Sequence, residues 1–187
     1  SWMPTFPCDN PEQPEYNDQH NLWPTNLQQA NTPRSNLPLM DIDGNVVFTY
    51  LGGRVGYSGN QLVYEPRPEQ KGNAARSIFY MATCYNGQAG NNWQLPANQS
   101  QESLKTWHFN DLPDNYEIAR HEYAYTLQGN RNPYIDSVYF ACHVNFANMS
   151  YLTCDMGLEE QLAVNFSVFP VPTSAKLYAQ VNGLDII

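Results

Sequence analysis

The residues best suited to chemistry lie close together, between positions 18 and 36. Asp18, His20, Asn31 and Arg34 fall in this stretch, among several further asparagines. An imidazole beside a carboxylate suits proton transfer, an amide oxygen suits a hard cation such as Mg²⁺, and a guanidinium binds a phosphate with two donors. Two prolines interrupt the stretch, so it is not one long helix. The pattern indicates a site for a cation and a phosphate; a polar loop built from Asn and Asp turns is the alternative.

Basic residues outside this stretch are candidates for substrate phosphates. Those we single out are Lys71, Arg76 and Arg131. Four basic residues between positions 54 and 76 face only two acidic ones, which predicts a local positive surface. Asp136 is the predicted ion-pair partner of Arg131. The net charge of −9 argues against a general nucleic-acid coat, but not against an enzyme that reaches phosphates through a metal ion and a few arginines.

The cysteine pattern favours disulfides over zinc. Cys8, Cys84, Cys142 and Cys154 form no C-x-x-C pair. An even count in an exported chain favours pairing. Cys142 and Cys154 would close a small loop, contributing about 2–3 kcal/mol, and Cys8 with Cys84 would be the second pair. Four buried thiols are the alternative.

The sequence predicts both helices and strands around these residues, which indicates an α+β protein. Residues 1–44 are rich in proline and irregular. The pattern predicts strands at 45–51, 61–64 and 138–146, a glycine-rich loop at 52–60, and alternating strands from 162 to 181. We expect helices at 73–85 with Asn73 as cap, around 104–108, and from an Asp114 capping box to Gly129. No apolar run approaches the roughly 20 residues that span a bilayer.

Four separated motifs resemble the endonuclease I family of secreted bacterial nucleases. They are YNDQHNLWPT with NTPRSNLP (16–25 and 31–38), EP with KGNAARSIFYM (65–66 and 71–81), WH with DNYEIAR (107–108 and 114–120), and QGNRNPYID (128–136). The resemblance implies a ββα-metal (His-Me finger) core with additional helices over residues 1–158. It also implies hydrolysis of DNA, and of RNA in many members, with one divalent cation, Mg²⁺.

The resemblance also implies roles for single residues. Asn31 matches the metal-binding asparagine, and Arg34 takes either phosphate contact or support of the site. His20 matches a second, non-base histidine; with Arg34 it is the catalytic candidate that this chain offers. Arg131 braces the site. The Glu-His pair that supplies the general base and first metal ligand is expected just before Ser1 and is absent, so we expect this chain to be nearly inactive.

The tail carries a second resemblance. NFSVFPVP followed by KLY (165–172 and 176–178) is similar to the opening of the type IX secretion sorting domain. This predicts a short all-β segment over 159–187 and a secreted, extracellular or periplasmic protein. The abrupt ends, at Ser1 and Ile187, suggest that the chain is cut at both termini. The functional alternative to a nuclease is a catalytically dead nuclease-like binding or structural protein.

Overall fold

The computed structural model of the chain describes residue 12, residues 14–86 and 94–154, and the backbone of residues 165–169 and 178–182. These residues mix helices with small antiparallel sheets, which confirms the α+β class. The helices are α1 (Thr32–Arg34), α2 (Lys71–Tyr85), α3 (Gln101–Asn110), α4 (Asn115–Gln128) and α5 (Pro133–Asp136). The strands are β1 (Val46–Tyr50), β2 (Gly53–Ser58), β3 (Gln61–Glu65), β4 (Val144–Asn145), β5 (Ser150–Tyr151), β6 (Asn165–Phe169) and β7 (Tyr178–Asn182).

The main sheet has the antiparallel order β1-β2-β3, and β2 is its central strand. The prediction of a loop at 52–60 is therefore wrong. The glycines of β2 reflect close packing: a Cβ on Gly56 would lie 2.7 Å from the Asn45 carbonyl oxygen, and one on Gly53 would lie 2.6 Å from the Tyr64 hydroxyl. Glycine in a strand interior often marks such a close approach.

Helix α2 runs through the hydrophobic core. Ile78, Phe79, Tyr80 and Met81 are fully buried, and Phe79 stacks on Phe146 with ring centroids 3.9 Å apart. The helix begins at Lys71, so the prediction that Asn73 caps it is wrong. Such boundaries are hard to place from sequence because the preceding residues Pro68–Gln70 already form a 3₁₀ turn.

Helices α3 and α4 pack around this core with caps that the sequence shows. The Asp114 side chain accepts a hydrogen bond from the Glu117 amide, and Gly129 ends α4 at φ 75°. Both predicted boundaries of α4 are confirmed. The predicted short helix near 104–108 is the longer α3, which Ser100 caps.

The chain divides into two compact units, Ser1–Thr153 and Cys154–Ile187. In the first unit, the prediction of a strand at 138–146 is wrong. Val138–His143 forms a 3₁₀ helix, and only Val144–Asn145 is a strand. In the second, β6 and β7 form an antiparallel hairpin, as the alternating tail predicts. Among the described helices, none combines the length and apolar character that crossing a bilayer requires.

Candidate functional site

Asp18 is the centre of a buried hydrogen-bond network. One carboxylate oxygen accepts from the His20 amide and from Gln128 Nε2, both at 2.9 Å. The other accepts from the hydroxyls of Tyr80 and Tyr85, both at 2.6 Å. Burial and this carboxylate raise the pKa of both tyrosines, so they remain donors. The network fixes the segment around residue 18 to α2 and α4.

His20 belongs to this frame rather than to an exposed site. It is 2% exposed, and its Nε2 lies 3.1 Å from the Asn130 carbonyl oxygen, so Nε2 carries the proton and donates. Burial lowers the pKa of His20 and keeps the ring neutral. Its own carbonyl accepts from the Ser77 hydroxyl, which in turn accepts from the Trp23 indole N–H. These contacts favour a positioning role for His20, and its catalytic assignment stays a prediction.

Arg34 is also part of the interior. It ends α1, is 2% exposed, and has its pKa lowered to about 10 by burial. The next residue, Ser35, has φ 46°, a conformation that costs free energy in a non-glycine residue and clusters at functional sites. A guanidinium with so little exposure has almost no surface to offer a substrate phosphate. Of the two roles that the resemblance implies for Arg34, the structure favours support of the site.

Asn31 lies where a π-helical turn, Leu27–Asn31, continues into α1. The Asn26 side chain caps this turn by accepting from the amides of Gln28 and Gln29. Asn31 is half-buried, and within the described residues its carboxamide makes no hydrogen bond. This leaves its oxygen available as a ligand, in keeping with the predicted metal role.

The described residues do not complete a metal site around Asn31. Divalent cations such as Mg²⁺ take about six oxygen ligands, usually with one or two carboxylates. In the described part of the chain no group of three His, Cys, Asp or Glu side chains could hold a metal ion. One neutral amide oxygen is too little to bind the ion, so the geometry of such a centre does not follow from these residues.

The predicted substrate contact of Arg76 is wrong. Arg76 is fully buried, and Nε and Nη2 donate to the two carboxylate oxygens of Glu117 at 2.8 and 2.5 Å. Its Nη1 donates to the Asp111 carbonyl oxygen at 2.7 Å. The motif that suggested a phosphate ligand instead encodes a buried ion pair between α2 and α4.

Lys71 and Arg131 are also paired with carboxylates, although both keep some exposure. Lys71 Nζ donates to Asp41 at 2.5 Å and to Glu65 at 2.7 Å. Arg131 is paired with Asp136, as predicted, and with Glu122 as well. These hydrogen bonds hold the pKa of both Arg131 partners below the usual range. Neither residue offers an uncompensated charge to a substrate, which weakens both substrate-binding predictions.

All four histidines of the sequence lie in the described region, and each has a ring nitrogen engaged. Besides His20, the His108 Nε2 lies 2.8 Å from the Val138 carbonyl oxygen and the His121 Nε2 lies 3.1 Å from Asp136. His143 Nδ1 lies 3.3 Å from the Leu152 carbonyl oxygen. His20, His108 and His121 are also buried. Burial makes these three unsuited to activate water, whereas His143 is half-buried and its Nε2 has no hydrogen bond among the described residues.

The cysteines follow one of the two predicted pairings. Cys142 and Cys154 are both in a disulfide. Cys84 is a thiol, so its predicted pairing with Cys8 is wrong, and Cys8 itself lies outside the described residues. Cys84 lies on α2, where burial raises the pKa of its thiol to about 11 and its side chain hydrogen bonds with Tyr80.

A surface cleft of about 240 Å³ opens beside Asn31 and contains a basic residue that the motif analysis passed over. Its walls include Ala30, Leu51, Tyr64 and Arg67. Arg67 is exposed, and the predicted positive surface at 54–76 was the one sequence signal that included it. The described residues thus contain a buried polar network around Asp18 and an open cleft lined in part by Arg67.

Comparison with known proteins agrees with this arrangement. Residues 2–138 match the Endonuclease I family, and the chain belongs to that family. Two relatives are extracellular ribonucleases, from Bacillus subtilis (strain 168) and Bacillus amyloliquefaciens. Each is 36% identical over 131 residues, which cover 64% of this chain and 43% of the relative. The chain thus spans less than half the length of the curated relatives it matches.

Proposed function

We propose that this protein is a nuclease that hydrolyses phosphodiester bonds of DNA and RNA. The observation that carries the proposal is the Endonuclease I match over residues 2–138, a range that contains the buried Asp18 network and the buried Arg34. The relatives named extracellular ribonuclease support RNA as a substrate and a secreted location. The resemblance of the tail to the type IX secretion sorting domain is part of the same proposal, because it also predicts a secreted protein.

The proposed cofactor is Mg²⁺, since nucleases of this family generally use a divalent metal. Asn31 is the one candidate ligand that the described residues offer. When bound, such an ion stabilises negative charge on the phosphate that is being cut. The contribution of this chain's own residues is to hold Asn31 at the surface: the Asn26 cap fixes the turn before it, and buried Arg34 anchors the turn after it.

We further propose that the 187-residue chain cuts slowly on its own. Three of its four histidines are buried, and Asn31 is the single metal ligand that we propose among the described residues. Loss of a general base typically removes about 10²–10⁴ in rate. The same observations favour a second candidate function, a nuclease-like protein that binds nucleic acid without cutting it.

The test is cleavage of supercoiled plasmid and of RNA at high protein concentration, with Mg²⁺ and with EDTA. The nuclease proposal predicts slow cutting that EDTA stops and that Asn31→Ala reduces at least tenfold. Asn36→Ala, an exposed position in the same motif, is the matched control. Vigorous cutting refutes slow catalysis by this chain. Binding without any Mg²⁺-dependent cutting supports the second candidate.

A further inference from the structure

The cleft next to Asn31 has the dimensions of a site for one unit of a polymer. At about 240 Å³ it is smaller than the roughly 300–1,000 Å³ typical of sites for whole drug-sized ligands. One wall is the segment around residues 23–30, which ends at Asn31, and another is the tight turn between β1 and β2. Leu51 at the tip of that turn is 74% exposed, so the cleft has an open apolar rim.

Arg67 is the cation that the protein leaves uncompensated in this cleft. The structure describes every basic residue except Lys176. Four of the others are in ion pairs, two donate to backbone carbonyls, and Arg34 is buried. Among the described basic residues, Arg67 alone is exposed and has neither a hydrogen bond nor an ion pair from its guanidinium. On a chain of net charge −9, such a group is available to an anion.

The backbone of Arg67 packs closely against the β1–β2 turn that forms the rim of the cleft. Leu51 and Gly52 have φ values of 45° and 85°, which place the β1–β2 turn tightly over the end of β3. A Cβ on Gly52 would lie 3.1 Å from the Cβ of Arg67, so the two backbones are in near contact. The Arg67 carbonyl also accepts from the Gln70 amide at 2.9 Å. The chain thus presents this guanidinium from a fixed point.

Tyr64 connects the cleft to the segment that follows the motif at 31–36. Its side chain lines the cleft and interacts electrostatically with both Arg34 and Arg67. Its backbone pairs with residues 38–40, directly after the motif. Ala30, which also lines the cleft, precedes Asn31. An anion on Arg67 would therefore occupy a cleft whose wall includes the residue next to the candidate metal ligand.

We propose that this cleft is a nucleotide subsite, in which Arg67 binds a backbone phosphate and the rim formed by Tyr50 and Leu51 contacts the adjoining sugar or base. The ligand class is a nucleic-acid strand, and the contact carries no sequence information because it goes to the backbone. The proposal rests on the proposed nuclease function and adds to it the residue that holds the strand beside Asn31. Arg67 is a binding residue, not a source of protons.

The test is equilibrium binding of a fluorescein-labelled, phosphorothioate-linked DNA duplex of about 12 base pairs to the full chain. Affinity is measured by anisotropy at several NaCl concentrations with Mg²⁺ held constant. For Arg67→Ala we expect about tenfold weaker binding and a shallower slope of log K against log[salt], by about 0.9, since one phosphate contact is lost. Arg67→Lys should keep the slope because it keeps the charge. The matched control is Arg131→Ala, which removes the same charge from an exposed arginine that carboxylates already neutralise.

Each outcome is decisive for one proposal. If Arg67→Ala binds within twofold of the wild type with an unchanged slope, the subsite is refuted while the nuclease proposal stands. If Arg131→Ala weakens binding as much as Arg67→Ala, the effect is one of net charge and the subsite is again refuted. If the folded wild-type chain does not bind the duplex or a matching RNA strand at all, the proposed function itself fails. Thermal unfolding of each variant checks that the fold is retained.

Discussion

Acidification should destabilise this protein through His108, a buried histidine in α3. Its Nε2 donates to the Val138 carbonyl oxygen, and its Nδ1 is buried with no hydrogen-bond partner among the described residues. Protonation would place an N–H without an acceptor, and a positive charge near Arg76, inside the core. Burial, with a further contribution from Arg76, therefore lowers the pKa of His108 to about 4.

The magnitude follows from the difference between the folded and unfolded pKa. The unfolded chain takes up the proton near the ordinary value of 6.5, whereas the folded protein takes it up only near 4. Between these values the unfolded state binds more protons, so stability falls as the pH falls. The loss is about 2–2.5 kcal/mol between pH 7 and pH 4.5, and it approaches about 3 kcal/mol at still lower pH.

The assay is urea unfolding at several pH values between about 7 and 4.5, for the wild type and for His108→Gln. Glutamine keeps an N–H near the position of Nε2 but does not titrate, so it removes this pH dependence alone. His20 shows the same direction of pKa shift and contributes equally in both proteins. We expect the difference in unfolding free energy between the two proteins to shrink by about 2 kcal/mol on acidification. Parallel loss in the two proteins would refute the reasoning.

Three further substitutions test the frame by urea unfolding at neutral pH. Arg76→Met should cost about 3–5 kcal/mol because it leaves the buried Glu117 carboxylate unpaired, and a loss below about 1 kcal/mol would contradict the ion-pair assignment. Asp18→Asn should cost about 1–3 kcal/mol because one side of the amide is an NH₂ group, which would face either the two tyrosine hydroxyls or the His20 and Gln128 donors; an unchanged stability would argue against the network. Gly56→Ala should cost about 1–3 kcal/mol through overpacking against the Asn45 carbonyl, and a stabilised variant would show that β2 has room there.

Local rules predicted some elements well. The Asp114 cap and the C-terminal Gly129 define α4 by themselves, because caps act on neighbouring residues. Strand β2 was not predicted, because its glycines are explained by contacts with residues outside the strand. Its glycines look like a loop in sequence, and only the positions of Asn45 and Tyr64 across the sheet show that each glycine makes room for a neighbour.

The sequence predicted where the candidate site lies, but not the role of each residue in it. The resemblance located the motif at 31–36, yet basic residues within motifs proved to be structural, because burial and carboxylate partners depend on distant residues such as Glu117. Arg67 stands out only once every other described cation has been accounted for. Sequence position shows that a residue is charged, whereas the fold determines whether that charge remains available.

The central claim is that this chain cuts nucleic acid slowly, because His20, His108 and His121 are buried parts of its frame and not bases exposed to water. The most direct measurement is the single-turnover rate of phosphodiester cleavage by the 187-residue chain with Mg²⁺, beside the Bacillus subtilis extracellular ribonuclease on the same RNA. We predict a rate about 10²–10⁴-fold below that of the relative, abolished by EDTA. A rate within tenfold of the relative would contradict the claim.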